Sequence, residues 1–168
     1  VSATGDNRAL ATALTISIGV AAGSVGDATA EITSDADVIA EVTAGTWTVP
    51  GAAVSVTAIG NNIATATANG GGGGAVSISV MIPHASIGGE VRAEFSGTLV
   101  DAASDAASLL VKARGNNVAT ATAIVVTITL VGGSGASATA EVLDTADVIA
   151  KIGGSVAVSG AVTVNAGL

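Results

Sequence analysis

The sequence predicts an all-β fold, organised as a β-solenoid-like array of three 55-residue units. Residues 115–123 read Gly-Asn-Asn-Val-Ala-Thr-Ala-Thr-Ala, residues 60–68 are a near-identical copy, and residues 5–13 are a weaker one, so the copies begin 55 residues apart. Most segments between the glycines alternate apolar and polar residues, which is typical of strands with one buried face. With no Tyr, one Trp and one Phe in 168 residues, the core must consist of Ala, Val, Ile and Leu at close backbone spacing.

Self-similarity at a fixed period indicates a unit that stacks on copies of itself. We expect one repeat array over residues 1–168, with units at about 5–59, 60–114 and 115–168. Each unit holds about five short strands, and we predict two or three coils per unit, about 4.8 Å apart along the backbone hydrogen bonds. An antiparallel β-sandwich or prism is the alternative, because it also produces alternating strands between glycine-rich corners.

The strands follow one another in each unit with the same alternation. In the first unit, residues 9–22, 28–32 and 38–42 alternate, Pro50 indicates an edge or a corner, and residues 54–58 form a last inward row. Shared parity predicts a set of buried side chains. They are Leu10, Ile16, Ile18, Ile32, Val38, Val54, Val56, Ile78, Val80, Phe95, Val111, Ile128, Val148 and Val164.

The later units repeat this order with one change. Five consecutive glycines at 70–74 precede the alternating segment 76–80, and such a run predicts a loop or a corner bulge. The third unit has no glycine run there, and its residues 138–141 and 146–150 match 28–31 and 36–40 of the first unit.

Composition excludes several classes of partner. The net charge is -8 and only five residues are basic, which argues against binding to nucleic acid or to an anionic membrane. The mean hydropathy is +0.73, but no apolar run reaches the roughly 20 residues of a membrane-spanning helix. The residues from Val1 onward show no secretion signal, so localisation has to be inferred indirectly.

No catalytic, cofactor-binding or metal-binding residue is predicted, and no cofactor is expected. His84 is the only histidine and has no Cys or acidic pair at ligand spacing, so we interpret it as a loop or surface residue. Asp35, Asp37, Asp144 and Asp147 could bind calcium between coils, because hard cations prefer carboxylate oxygens. We favour a solvated acidic face that keeps an apolar chain soluble.

Two further kinds of residue pair recur within the repeated segments 60–68 and 115–123. The threonines are Thr65, Thr67, Thr120 and Thr122, and the asparagines are Asn61, Asn62, Asn116 and Asn117. Paired threonines are found on flat ice-binding faces, but Thr120 and Thr122 share the parity of Ile124 and Val126, so the paired threonines are predicted to point inward. The asparagines tolerate left-handed conformations and bond to neighbouring backbone, which suits a corner.

The Asn-Asn-x-Ala-Thr-Ala-Thr-Ala boxes, the glycine-rich step into residues 75–80 and the segment 51–58 resemble repeats of large secreted bacterial filamentous adhesins. These are the leukotoxin-type adhesins and related strand-repeat surface proteins, and segment 51–58 has a counterpart in segment 160–166. The resemblance implies an elongated β-solenoid exported to the cell surface, with no catalytic residues. Such proteins usually carry many repeats, whereas this chain has three.

The leading functional hypothesis is a non-enzymatic extracellular fibre or adhesin-type protein whose copies associate end to end, because an open stack of strands leaves unpaired backbone groups at each end. One alternative is an adhesion module that binds a carbohydrate or cell surface through the loops around residues 70–74 and 83–84. An ice-binding solenoid is another. A polysaccharide-acting β-helix enzyme is the last, although the chain has few aromatic residues for sugar platforms and its acids are spread along the sequence.

Overall fold

A computed structural model of the protein describes residues 1–100 and 106–168. Over these residues the chain is all-β and every ladder between strands is parallel. The strands are β1 (Ser2–Ile18), β2 (Ala21–Ile32), β3 (Val38–Val42), β4 (Thr46–Trp47), β5 (Ala53–Ile87), β6 (Val91–Phe95), β7 (Thr98–Leu99), β8 (Ser108–Ala136), β9 (Thr139–Val142), β10 (Val148–Ile152), β11 (Ser155–Val156) and β12 (Val162–Gly167).

The strands form three sheets, and in each the strand from the middle of the chain lies between strands from its two ends. The largest sheet has six strands, in the order β1-β5-β8-β12, with β2 and β9 also paired to β5. The other two sheets have three strands each, in the orders β10-β6-β3 and β11-β7-β4. The antiparallel alternative is therefore wrong.

The register joins equivalent residues of successive units. Gly5 pairs with Gly60, and Gly60 pairs with Gly115. In the described part of the chain, neighbouring strands come from different units, so the expectation of two or three coils per unit is also wrong. One unit makes one layer because a single long strand, such as β1 with 17 residues, covers a whole side of the layer.

Each layer has two facing walls. The long wall is formed by β1, by β5 up to Gly74, and by β8 in its first part, and the facing wall is formed by the segments that follow in each unit. The predicted loop or bulge at 70–74 is largely strand, because residues 70–73 pair with β1 and β8. The chain turns at Gly74, with a φ of 154°, where a Cβ would collide with the carbonyl oxygen of Gly19.

Two hydrophobic clusters lie between the walls. In the first, Val56 of the long wall and its neighbours pack with Phe95 of the facing wall. In the second, the alanines within 64–68 pack with Met81. The second cluster is thinner because its long-wall residues are alanines.

The burial prediction succeeds near the first cluster and fails elsewhere. Ile32, Val38, Val56, Phe95 and Val111 are buried, as predicted. Val54, Val80 and Val148 are half-buried. The prediction is wrong for Leu10, Ile16, Ile18, Ile78, Ile128 and Val164, which are 47–83% exposed.

The close approach of the two walls explains the inverted parity. A Cβ on Gly70 would collide with the side chain of Met81, and one on Gly72 would collide with the Ser77 hydroxyl. The facing wall contributes further small hydroxyl side chains here, and the hydroxyl oxygens of Ser24 and Ser79 lie 2.9 Å apart in a hydrogen bond. Since Met81 and the serines of the facing wall leave room only for small inward side chains on the long wall here, the large aliphatic side chains of the long-wall strands point outward. Val164 is exposed for another reason, because β12 pairs on one side only.

Candidate functional site

The repeated boxes place equivalent side chains in columns that run across the units. The inner amide column consists of Asn7, Asn62 and Asn117. Asn7 Nδ2 donates to Asn62 Oδ1, and Asn62 Nδ2 donates to Asn117 Oδ1, with 2.9 Å between the atoms in both bonds. Asn117 Nδ2 donates to the carbonyl oxygen of Ala146 over 3.4 Å. Because Asn62 is completely buried, its amide depends on the neighbouring units for hydrogen bonds.

The outer amide column consists of Asp6, Asn61 and Asn116, and its bonds run in the opposite direction. Asn116 Nδ2 donates to Asn61 Oδ1, and Asn61 Nδ2 donates to Asp6 Oδ1, over 2.8 Å in both cases. Ionised aspartate can only accept hydrogen bonds. Asp6 therefore ends this column at the first unit.

The prediction that these asparagines form a corner is wrong. Asn61 and Asn62 lie within β5, and Asn116 and Asn117 lie within β8. No residue other than glycine has a positive φ in the part of the chain that the structure describes. Extended backbone puts one asparagine of each pair inside and the other outside, which is why there are two columns.

A buried charge cluster on β6 was not predicted from the sequence. Its centre is Glu94, whose side chain is 10% exposed and accepts bonds from Ser96 Oγ at 2.6 Å and Arg92 Nη1 at 2.7 Å. Lys151 Nζ of the third unit lies 3.0 Å from Glu94 Oε2. Arg92 Nε also forms an ion pair with Glu90 Oε1, 3.0 Å away.

These contacts shift the pKa values of the cluster. The hydrogen bond from Ser96, with those from Lys151 and Arg92, lowers the pKa of Glu94 to about 2, against the opposing effect of burial. The hydrogen bond to Glu94 raises the pKa of Arg92. The cluster links the second unit to the third through a charged contact. Its signal in the sequence was weak, because Lys151 pairs with Glu94 at an offset of 57 residues instead of 55.

His84 lies on β5, between Thr29 and Thr139 in the paired strands. Its side chain is 37% exposed, and its Nε2 lies 3.3 Å from Glu141 Oε1. The residue is thus on a strand surface, where it contacts the next unit.

The four aspartates considered as calcium ligands are all exposed, and two of them accept hydrogen bonds from backbone nitrogens of the second unit. Asp37 Oδ1 accepts a hydrogen bond from the Glu90 backbone nitrogen over 2.7 Å, and the Asp147 carbonyl oxygen accepts one from Val91. Asp35 and Asp144 are exposed. Within residues 1–100 and 106–168, no three His, Asp or Glu side chains come together in a way that could hold a metal ion.

The box threonines point outward, so the prediction that they face the interior is wrong. Thr12, Thr67 and Thr122 occupy paired positions, and Thr65 and Thr120 pair beside them. Thr120 and Thr122 are exposed. The close approach of the two walls places the large aliphatic side chains on the outer face, and the threonines point outward because they share the parity of those residues.

The two ends of the stack differ. In the described residues, β1, β2, β3 and β4 each pair on one side only, and so does β8 beyond Arg114. The start of β8 is covered by β12, which pairs Ala166 with Ala113. Ala113 pairs with Ala58 on its other side, and Ala58 pairs with Ala3. β12 therefore occupies the position that Ala3 of a following copy would take.

No family model, no curated protein and no solved structure matches this chain in comparisons with known proteins. In the described ranges, no helix has the length and apolar character needed to cross a membrane. The interpretation of function therefore depends on the geometry of the columns, the charge cluster and the two ends.

Proposed function

We propose that this protein is a β-solenoid that serves as a non-enzymatic extracellular fibre or adhesin-type component at the cell surface, with copies associated end to end. The resemblance of its boxes to filamentous adhesin repeats supports the location. The in-register parallel pairing of its units supports the solenoid, because each layer presents the same backbone pattern to the next.

The observation that carries this proposal is the pair of one-sided end edges. Gly5–Ile18 at one end and the equivalent part of β8 at the other present backbone donors and acceptors in the same parallel register. A copy placed on the third unit would continue that register. Such a contact is heterologous and does not close, so repeated addition produces a filament.

Side chains at the two ends favour this direction of stacking. Asn117 Nδ2 would reach Asn7 Oδ1 of the next copy, because Asn7 and Asn117 are equivalent positions on either side of Asn62. Lys151 would stand next to Glu41 of that copy, because both pair with Glu94. The inner amide column and one charge pair are therefore complementary across the contact.

Two features of the chain oppose end-to-end association, so the strength of this association should depend on solution conditions. One short strand must move, because β12 and residues Ser2–Thr4 of the incoming copy would occupy the same position. The ends are also both acidic: residues 1–52 contain six acidic residues and one basic residue, and residues 115–168 contain three acidic residues and one basic residue. Salt screens such repulsion over distances of about 10 Å at 0.1 M.

Sedimentation velocity over a wide range of concentration and salt tests the proposal, with electron microscopy of the same samples. We expect the average mass to rise without an upper limit as concentration increases, more steeply at high salt, and elongated filaments in the micrographs. A monomer at every concentration and salt level would contradict end-to-end association.

A second candidate function is binding to ice, which the outward threonines favour. Thr65, Thr67, Thr120 and Thr122 form two adjacent rows on the long wall, spaced by the strand separation of about 4.8 Å in one direction. Thermal hysteresis of the purified protein tests this candidate. The matched comparison is Thr122→Val, which keeps the shape and removes the hydroxyl.

A further inference from the structure

The outer surface of the long wall carries a groove with a glycine floor. Its floor is Gly71 and Gly73 of the second unit, which pair with residues of the first and third units on either side. The side ridges, one from each neighbouring unit, are formed by Leu14, Ile16 and Ile18, and by Ile124, Val126 and Ile128. The groove has a volume of about 390 Å³. We call it the glycine groove.

The ridges are aliphatic and solvent-exposed. Ile18 is 83% exposed and Ile128 is 77% exposed. The sequence has no charged residue within 9–26, 42–89 or 115–140, so the whole surface around the groove is uncharged. At each ridge end an aliphatic residue, Val20 or Leu130, extends the apolar surface, with exposures of 83% and 88%.

This surface is large enough to form a stable interface. The six ridge residues, with Val20 and Leu130, would each remove roughly 60–120 Å² of apolar surface on full burial, and at their observed exposure these eight residues present on the order of 600 Å². The largest apolar patch on a typical monomer is about 300–600 Å². A standard interface buries about 800 Å² per partner, which the ridges approach before the groove floor is counted.

We propose that a second copy of this chain docks on the glycine groove, so that two copies form a closed lateral dimer. The shape is self-complementary. The two ridges stand two strand spacings apart, about 9.6 Å, and the space between them is one strand wide. A copy turned by a two-fold axis and offset by one layer places a ridge of each molecule in the groove of the other.

The proposed dimer is distinct from end-to-end association, because it uses the face of the long wall and leaves both end edges free. It also closes at two copies, whereas end-to-end growth continues. The interdigitation is that of two sheets packed face to face, about 10 Å apart. It would cover the ridge side chains that the narrow interior forces outward.

Gly73→Leu tests the shape, and Ile18→Glu tests the apolar ridge. A Cβ on Gly73 would meet only the carbonyl oxygen of Ile128, at 3.9 Å, so leucine fills the groove without disturbing the fold and keeps the surface apolar. In sedimentation equilibrium of the full chain, the mass of the wild type should pass through a dimer at low concentration and low salt, where end-to-end association is weakest. Each variant should raise the dimer dissociation constant by about tenfold or more.

Ile59→Glu is the matched control. Ile59 is 41% exposed. It lies on β5, the strand that contains Gly73, but outside the groove, so its substitution should leave the dimer unchanged. Equal dimerisation of Gly73→Leu and the wild type, or a wild type whose mass never passes through a dimer, would overturn the proposal. Binding of neutral phosphatidylcholine vesicles by the wild type and Gly73→Leu, but not by Ile18→Glu, without a dimer, would overturn it in favour of a lipid surface. Continuous growth in mass that no groove substitution alters would also overturn the lateral dimer and would leave end-to-end association as the only contact between copies.

Discussion

Asn62 and Asn117 are joined by a hydrogen bond of 2.9 Å between Nδ2 and Oδ1, in a ladder that also pairs Gly60 with Gly115. Asn62 is completely buried and also accepts a bond from Asn7. A slip of one residue in the pairing would move each amide to the opposite face of its strand. The inner amide column therefore selects the register in which the units stack.

Asn62→Ala should lower the free energy of unfolding by about 2–4 kcal/mol, because it removes a completely buried amide and leaves the half-buried Asn7 donor and Asn117 acceptor without partners. Asn61→Ala is the control. It breaks the equivalent bonds of the exposed outer column and should cost less than about 1 kcal/mol, because water can replace them. Urea denaturation measures both. Equal losses would show that the inner column has no special role.

Val56→Asp and Ile18→Asp should differ sharply in stability, although both residues were predicted to be buried. Val56 is 0% exposed and Ile18 is 83% exposed. An unpaired charge at Val56 should cost several kcal/mol, whereas Ile18→Asp should change stability by no more than about 0.5 kcal/mol. Thermal melting of the two variants and the wild type, at a concentration at which the wild type is a monomer, measures the difference. A severe loss for Ile18→Asp would mean that the outward parity is wrong.

Glu94 should make stability depend on pH in the acid range. Its pKa is lowered from 4.5 to about 2 in the folded protein, so the unfolded chain binds the proton more tightly. The contribution to stability is present above pH 4.5 and is lost as the pH falls toward 2. Its size is of the order of 3 kcal/mol.

Denaturation of the wild type and of Glu94→Gln across pH 2–7 measures this effect. The stability difference between them should shrink steadily below pH 4.5. Glu31→Gln is the control, because Glu31 is exposed and lies outside the cluster. Its difference from the wild type should stay flat, and parallel curves for Glu94→Gln and Glu31→Gln would count against the charge cluster.

Asp6→Asn should strengthen end-to-end association. In a stack of copies, ionised Asp6 would accept a bond from Asn61 of its own chain and would present a second acceptor to Asn116 Oδ1 of the preceding copy. An asparagine could donate to that oxygen and complete the outer amide column. We expect about a tenfold lower dissociation constant for one added hydrogen bond and one removed charge repulsion.

Asp27→Asn separates this effect from a simple change in net charge. Asp27 is exposed on β2 and pairs with Ile82, so its substitution removes one negative charge without affecting either amide column. Sedimentation velocity should show a larger increase for Asp6→Asn. The column explanation fails if both variants associate equally.

The sequence alone was sufficient for the all-β class and for the residues that repeat at a 55-residue interval. Local alternation and internal similarity carry that information, because they depend only on neighbouring residues and on spacing. The parity of the first cluster was also available from the sequence, since Val56 and Phe95 lie in short segments that alternate apolar and polar residues. The repeat also indicated which face is buried in the second cluster. Ala64 has the same parity as Val54 and Val56 in the continuous strand β5, whereas Thr65, which pairs with Leu10, has the opposite parity.

Tertiary structure decided which face of the long strands is buried. Hydrophobicity favours Leu10, Ile16 and Ile18 inside, but burial also depends on what stands opposite. The two walls approach so closely at Gly70 and Gly72 that even a Cβ there would collide with the side chains of Met81 and Ser77 on the facing wall, so packing overrides hydrophobicity.

The charge cluster and the glycine groove likewise exist only in three dimensions. Glu94 meets Lys151 because strands of different units are neighbours in the sheet, at an offset that departs from the repeat. Gly73 becomes the floor of a groove only because Ile18 and Ile128 flank it in the paired strands. The 55-residue repeat in the sequence identifies the residues that occupy equivalent positions in successive units. The distance between walls and the order of strands determine which of them meet and which remain exposed.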